Sequence, residues 1–190
     1  QSGAGTVSLT GTSTFQTTAT QALSGVLGFG SVTVGSGVTL TNNGTTTLSG
    51  DLILTGNWTS GTGALLTIGG NYSNSGIFTA SSGTTTFNGA STQTASGTMT
   101  GTSAFNHVSF TGSGQKVFRN NASTTNFVVN TTSATVTIPS NLTVSGNYVN
   151  NGTTTGGATT WALASSTAEN SNWLSVTYGN GLFVAVAKAG

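Results

Sequence analysis

Apolar residues along this chain come in triplets with a polar residue at the centre. The stretch Val32-Thr-Val-Gly-Ser-Gly-Val-Thr-Leu40 sets two apolar-Thr-apolar triplets around a three-residue kink, and Val136-Thr-Ile-Pro-Ser-Asn-Leu-Thr-Val144 repeats the arrangement. A period of two places the outer residues of each triplet on one side of a strand and Thr on the other. Gly35 and Gly37 in the first copy, and Pro139 and Asn141 in the second, turn the chain so that both triplets point inward around a corner. More strand-sized groups follow at residues 7–9, 52–54, 65–68, 77–79, 84–87, 105–110, 116–118 and 127–129. Gly, Asn or Ser separates them, as sandwiches, barrels and solenoids all require. The best helical candidate, residues 161–166 (WALASS), is too short to stand alone.

Repetition narrows the choice. Gly56-Asn-Trp58, Gly70-Asn-Tyr72 and Gly146-Asn-Tyr148 are one motif used three times, and Asn42-Asn-Gly-Thr-Thr-Thr47 returns at Asn150-Asn-Gly-Thr-Thr-Thr155. Imperfect repetition of short strands with small polar corners points to an all-β, right-handed parallel β-solenoid. Residues 1–155 would supply six to eight coils of roughly 20 to 25 residues. The alternative is an antiparallel β-sandwich, since short alternating strands alone do not set strand direction. Residues 156–190 read as a linker and a C-terminal β-hairpin.

Composition decides between a folded chain and a low-complexity one. Only 3% of the 190 residues are charged, against about 25% in an ordinary soluble domain. The charges are Asp51, Lys116, Arg119, Glu169 and Lys188. Apolar residues nevertheless come in alternating groups, which favours a folded β structure over a mucin-like one. A net charge of +1 gives no pull on nucleic acid or on an anionic membrane. There is no Cys, so disulfides and thiolate metal sites are excluded. No apolar run approaches the roughly 20 residues of a spanning helix, so membrane insertion is not expected. A start at Gln1, with few charges and many hydroxyls, reads as an exported cell-surface or extracellular product whose signal peptide has been removed.

Candidate chemistry is sparse. The two carboxylates, Asp51 and Glu169, stand more than a hundred residues apart. Asp51 reads as a turn cap before strand 52–54, and Glu169 as a solvated group. His107 is the single imidazole, with no nucleophile elbow to accompany it. The expectation is therefore a non-enzyme with no cofactor and no metal site. Lys116 and Arg119 read as solvated surface on opposite sides of a strand. Thr-Thr-Thr runs begin at 45, 84 and 153, spacings of 39 and 69 residues, which argues against the fixed coil period an ice-binding array needs. Trp58, Tyr72 and Tyr148 share one position of a repeated motif. On an outer face they would stack on sugar rings; the competing reading is internal packing at coil corners.

The segment GNWTSGTGALLTIGGNYSNSGIFTASSGTTTFNGASTQTASG, residues 56–97, and AFNHVSFTGSGQKVF, residues 104–118, resemble the Thr/Gly/Asn-rich repeats of bacterial secreted and cell-surface proteins. The resemblance extends over about residues 31–155. It implies an adhesin-type parallel β-helix, an extracellular setting and a structural or adhesive role. Near the C-terminus, WLSVTYGNGLFVAVA (residues 173–187) looks like one repeat of a β-propeller-like blade. A propeller needs at least about four blades, so no propeller function follows.

Together these features lead to a secreted structural protein that joins copies of itself into a fibre or surface layer by strand or edge addition. The expected connector is the hairpin, through Leu174, Val176, Tyr178, Leu182, Phe183, Val184 and Val186. Residues 182–187 are apolar on both alternating sets, so that strand needs cover on both sides. The alternative function is a carbohydrate-binding adhesin module that holds surface glycans through Trp58, Tyr72 and Tyr148.

Overall fold

The structure is a computed structural model that describes residues 6–16, 20–156, 172–179 and 182–188. The described part of residues 1–158 is a parallel β-solenoid of about seven turns. Each coil passes through up to three strand positions, here faces 1, 2 and 3. The first coil holds β1 (Thr6–Phe15), which spans faces 1 and 2, and β2 (Thr20–Leu23) on face 3. The second repeats this with β3 (Val26–Val34) and β4 (Thr39–Asn42). The third has one strand per face, β5 (Thr45–Leu48), β6 (Leu52–Leu54) and β7 (Asn57–Ser60). The fourth does likewise with β8 (Leu65–Ile68), β9 (Tyr72–Asn74) and β10 (Ile77–Thr79). The fifth has β11 (Thr84–Phe87) and β12 (Gln93–Gly97), then a short 3-10 turn (Gly101–Ser103) in place of a face 3 strand. The sixth runs through β13 (Phe105–Phe110) and β14 (Lys116–Phe118) into β15 (Ala122–Val129). The seventh uses the rest of β15, β16 (Thr135–Ile138) and β17 (Leu142–Val144), and β18 (Tyr148–Asn150) and β19 (Thr153–Gly156) end the described stack.

Every strand pair within the solenoid is parallel, which excludes the antiparallel sandwich. Partners in successive coils lie 18 to 23 residues apart. The longer steps arise in the fifth and sixth coils, where Phe87 is eight residues from Ala95 and Phe110 eight from Phe118, against four from Ile68 to Tyr72. The corner between faces 1 and 2 is therefore wider there.

In-register pairing stacks like positions, and the inward ones form the core. On face 1, Phe29, Leu48, Ile68, Phe87, Phe110 and Val129 make one buried column. Face 2 continues it with Val32, Leu52 and Tyr72, and face 3 with Leu40, Trp58 and Phe78. Outward positions carry mainly hydroxyls: Thr47, Thr67, Thr86 and Ser109 lie in one row of face 1. The stretch that the sequence set around a kink behaves as its pattern requires. Val32, Val34, Val38 and Leu40 are all fully buried, and Gly37 turns the corner at φ +79°, in the left-handed region. Close stacking also constrains corners directly: a Cβ on Gly56 would collide with the Gly35 carbonyl oxygen of the coil before it.

Corners are closed by asparagine. Asn42, Asn74 and Asn150 each accept a hydrogen bond at Oδ1 from the glycine N–H two residues on, at 3.2, 3.0 and 3.1 Å. Such a bond reproduces a backbone turn with a side chain. The three corners differ: Asn42 leads from face 3 to face 1, Asn74 from face 2 to face 3, and Asn150 from face 1 to face 2. The repeated unit in the sequence is thus one face with its corner, used around the coil as well as along the stack.

Residues 159–190 form a separate unit. Within it β20 (Asn172–Gly179) and β21 (Leu182–Lys188) pair antiparallel as a two-stranded sheet, the hairpin that the sequence suggested. The register shifts between Trp173 and Ser175. Glu169, residues 161–166, Gly157 and the Asn180-Gly181 turn lie outside the described residues.

Candidate functional site

The three aromatic residues of the Gly-Asn-aromatic motif do not form a row. Trp58 is on face 3, Tyr72 on face 2 and Tyr148 on face 1, because the motif marks a face rather than a coil. Trp58 and Tyr72 are fully buried, so neither can meet a sugar ring. The Trp58 indole N–H donates to Ser60 Oγ at 3.1 Å. Tyr72 packs against Phe78 and Phe105 with ring centroids 5.8 and 5.5 Å away. Burial pushes its hydroxyl far above the ordinary value, an effect that nearby Asn74 offsets only a little, and that hydroxyl makes no well-formed hydrogen bond among the described residues. Only Tyr148 of the three is exposed, at 37%.

Lys116 corrects the surface reading. It is buried, while Arg119 is exposed. Lys116 shares the inward side of β14 with Phe118, two residues on. It fills the wide corner of the sixth coil, and its Nζ donates to the carbonyl oxygens of Gly114, Gly89 and Gly112 at 2.5, 2.8 and 3.3 Å. Desolvation holds its pKa below the ordinary lysine value. Gln93 fills the same corner one coil earlier, in register with Lys116. Its Nε2 donates to the Ile68 and Gly70 carbonyls, and its Oε1 accepts from the Gly89 N–H at 2.6 Å. Both side chains hydrogen-bond to backbone groups of these loops, and the Gly89 and Ile68 carbonyls accept from the Gly114 and Asn88 N–H groups as well.

Polar side chains outside the coils also bind one coil to the next. Asp51 Oδ1 accepts from the Asn71 backbone N–H at 2.6 Å, and Asn71 Oδ1 accepts from the Thr94 N–H at 2.8 Å. Asp51 thus caps a turn, as the sequence suggested, but that turn belongs to the following coil. His107 Nδ1 meets Asn126 Nδ2 at 2.5 Å across the sixth and seventh coils. Among the described residues no group of three His, Cys, Asp or Glu side chains is placed to hold a metal, and no helix is long and apolar enough to cross a membrane.

The two ends of the stack differ in chemistry, a feature that composition did not reveal. At the first end, β1 pairs only with β3 among the described strands. Leu9, in register with buried Phe29, belongs to the inward column but is 48% exposed. At the other end, the inward positions become polar and bond to one another. Tyr148 Oη donates to Thr154 Oγ1 at 3.1 Å, and Asn150 Nδ2 donates to the same oxygen at 3.2 Å. The positions one coil earlier, Phe127, Val129 and Val136, are apolar and buried. Among the described residues the apolar column is therefore open at β1 and meets a hydrogen-bonded layer at β18 and β19. The hairpin residues Leu174, Val176, Tyr178, Leu182, Phe183, Val184 and Val186 all lie on described strands. Compared with known proteins, the chain matches no family model, no curated protein and no solved structure.

Proposed function

We propose that this chain is a secreted structural protein that builds an extracellular fibre or surface layer by adding strands of one copy to the solenoid edge of the next. The observation that carries this reading is the β1 edge. It is ten residues long, carries no charge, and leaves the inward-facing Leu9 half uncovered. An uncharged strand with one side unpaired among the described strands offers N–H and C=O groups to another chain. The donor in this reading is the β20–β21 hairpin of a second copy, since a two-stranded sheet is marginal in water without further cover and residues 182–187 are apolar on both alternating sets. Scarcity of charge and outward rows of hydroxyls support an extracellular setting.

Electron microscopy of the purified chain tests this. Filaments or sheets are expected for the full chain. A chain ending at Gly156, or one carrying Leu9→Lys at the open edge, is expected to stay monomeric by light scattering while keeping its β spectrum. A monodisperse full-length chain at high concentration overturns the reading.

A further inference from the structure

Asn-Gly is the dipeptide most prone to spontaneous deamidation. The glycine nitrogen attacks the asparagine side-chain carbonyl carbon, and a nitrogen–carbon bond closes a succinimide. The glycine N–H proton passes to water and the side-chain nitrogen leaves as ammonia. Water then opens the ring to Asp or to isoaspartate. Four such pairs occur in the chain, and three fall on described residues: Asn43-Gly44, Asn88-Gly89 and Asn151-Gly152. All three asparagines are exposed, so burial does not protect them. Two of them belong to the repeated Asn-Asn-Gly-Thr-Thr-Thr motif.

In each pair the attacking nitrogen is already engaged. The Gly44 N–H donates to Asn42 Oδ1 at 3.2 Å, the Gly152 N–H to Asn150 Oδ1 at 3.1 Å, and the Gly89 N–H to Gln93 Oε1 at 2.6 Å. The acceptor comes from two residues before the glycine in two cases and from four residues after it in the third. Two unrelated sequence arrangements thus deliver the same bond. The asparagine's own N–H is fixed as well: Asn43 donates to Leu23, Asn88 to Ile68 and Asn151 to Val129, at 2.8, 3.1 and 2.9 Å, each one coil back. A nitrogen whose proton is held by an uncharged amide oxygen is harder to deprotonate, and a corner pinned on both sides resists the rotation that brings nitrogen to carbonyl carbon.

We propose that Asn42, Gln93 and Asn150 guard these corners against succinimide formation, and that Asn43, Asn88 and Asn151 become modification sites when their guard is lost. The consequence is specific to a solenoid. Isoaspartate inserts an extra backbone atom at a tight corner and throws the following strand out of register with the coils it pairs with. It also places a negative charge in a chain with almost none. Exposed asparagine is a thermolabile residue, and the guard lets an Asn- and Gly-rich chain persist.

The test is peptide mapping by mass spectrometry after incubation of the full-length protein in mildly alkaline, isotopically labelled water. Asn150→Leu removes the acceptor for Gly152, whereas Asn150→Asp keeps an Oδ1 there. The expected result is label at residue 151 rising about five-fold or more in Asn150→Leu and little in Asn150→Asp. Residues 43 and 88 should stay at the wild-type rate in both, and in urea all three sites of the wild type should react faster. Equal rates at 151 in the Leu variant and the wild type overturn the proposal. So does a parallel rise at 43 and 88, which would make rigidity of the whole stack, not the local acceptor, the protecting factor.

Discussion

Tyr148 lies flat on Phe127, ring centroids 5.4 Å apart and planes 7° from parallel. The pair ends the row of face 1 that runs through Leu66, Thr85 and Val108, beside the column that ends at Val129. Phe127 is fully buried, whereas Tyr148 shows 37% of its surface and turns its hydroxyl to Thr154. A residue that packs on one ring face and bonds at its tip suits the last layer of a stack.

Tyr148→Ala should therefore cost about 1 kcal/mol of stability, read from urea unfolding, and should expose Phe127. Thr154→Val is the sharper variant. It removes the oxygen that both Tyr148 and Asn150 use and puts a methyl group in its place, so the layer is no longer held together by hydrogen bonds. Faster self-association than wild type, measured by light scattering at matched concentration, is the expected outcome. Unchanged association would show that the hydrogen-bonded layer does not act as a cap.

Tyr72 makes the opposite case. Among the described residues its hydroxyl is buried against apolar rings without a well-formed hydrogen bond, a condition that costs more than the loss of the oxygen itself. Tyr72→Phe should leave stability unchanged or raise it by about 1 kcal/mol. Thermal unfolding decides: a fall in midpoint of several degrees would mean that the hydroxyl has a partner that matters.

Much of the fold was written in the chain. The triplets of residues 32–40 place Val32, Val34, Val38 and Leu40 inside as their alternation requires, and residues 52–54, 84–87 and 116–118 are strands with the bounds that the pattern set. The parallel strand direction was legible only through the repeats, since alternation is the same in parallel and antiparallel sheets. Spacing misled in one respect. Read as coils, the repeated Gly-Asn-aromatic motif implied an aromatic row, yet it recurs around the coil as well as along it. The converse holds for the Thr runs at 45 and 84: their 39-residue separation spans two coils, so Thr45 and Thr84 share one row with Leu65 between them. Lys116 was misread because charge usually means exposure. The signal lay in Lys116-Val-Phe118, where a period of two puts Lys on the side of Phe. The different ends of the stack were beyond reach, because Leu9 and Tyr148 differ from other apolar residues only in having no coil beyond them among the described strands.

The buried Lys116 gives the fold a pH dependence of defined sign. Desolvation holds its pKa in the folded chain below 10.5, the ordinary value that it regains on unfolding. In the window below 10.5 the unfolded chain therefore binds more protons than the folded one, and stability rises with pH there. Tyr72 acts in the opposite sense, because burial raises its pKa above the ordinary 10.0 and stability falls as pH climbs past that value. Measurements should accordingly stop short of 10.0. The expected outcome is a urea midpoint that rises from neutral pH toward that limit in the wild type and stays flat in Lys116→Met, which keeps the length of the side chain but does not titrate. A wild-type midpoint that falls relative to Lys116→Met over the same range would reverse the sign. It would mean that the ammonium gains more from the carbonyls of Gly89, Gly112 and Gly114 than it loses by leaving water.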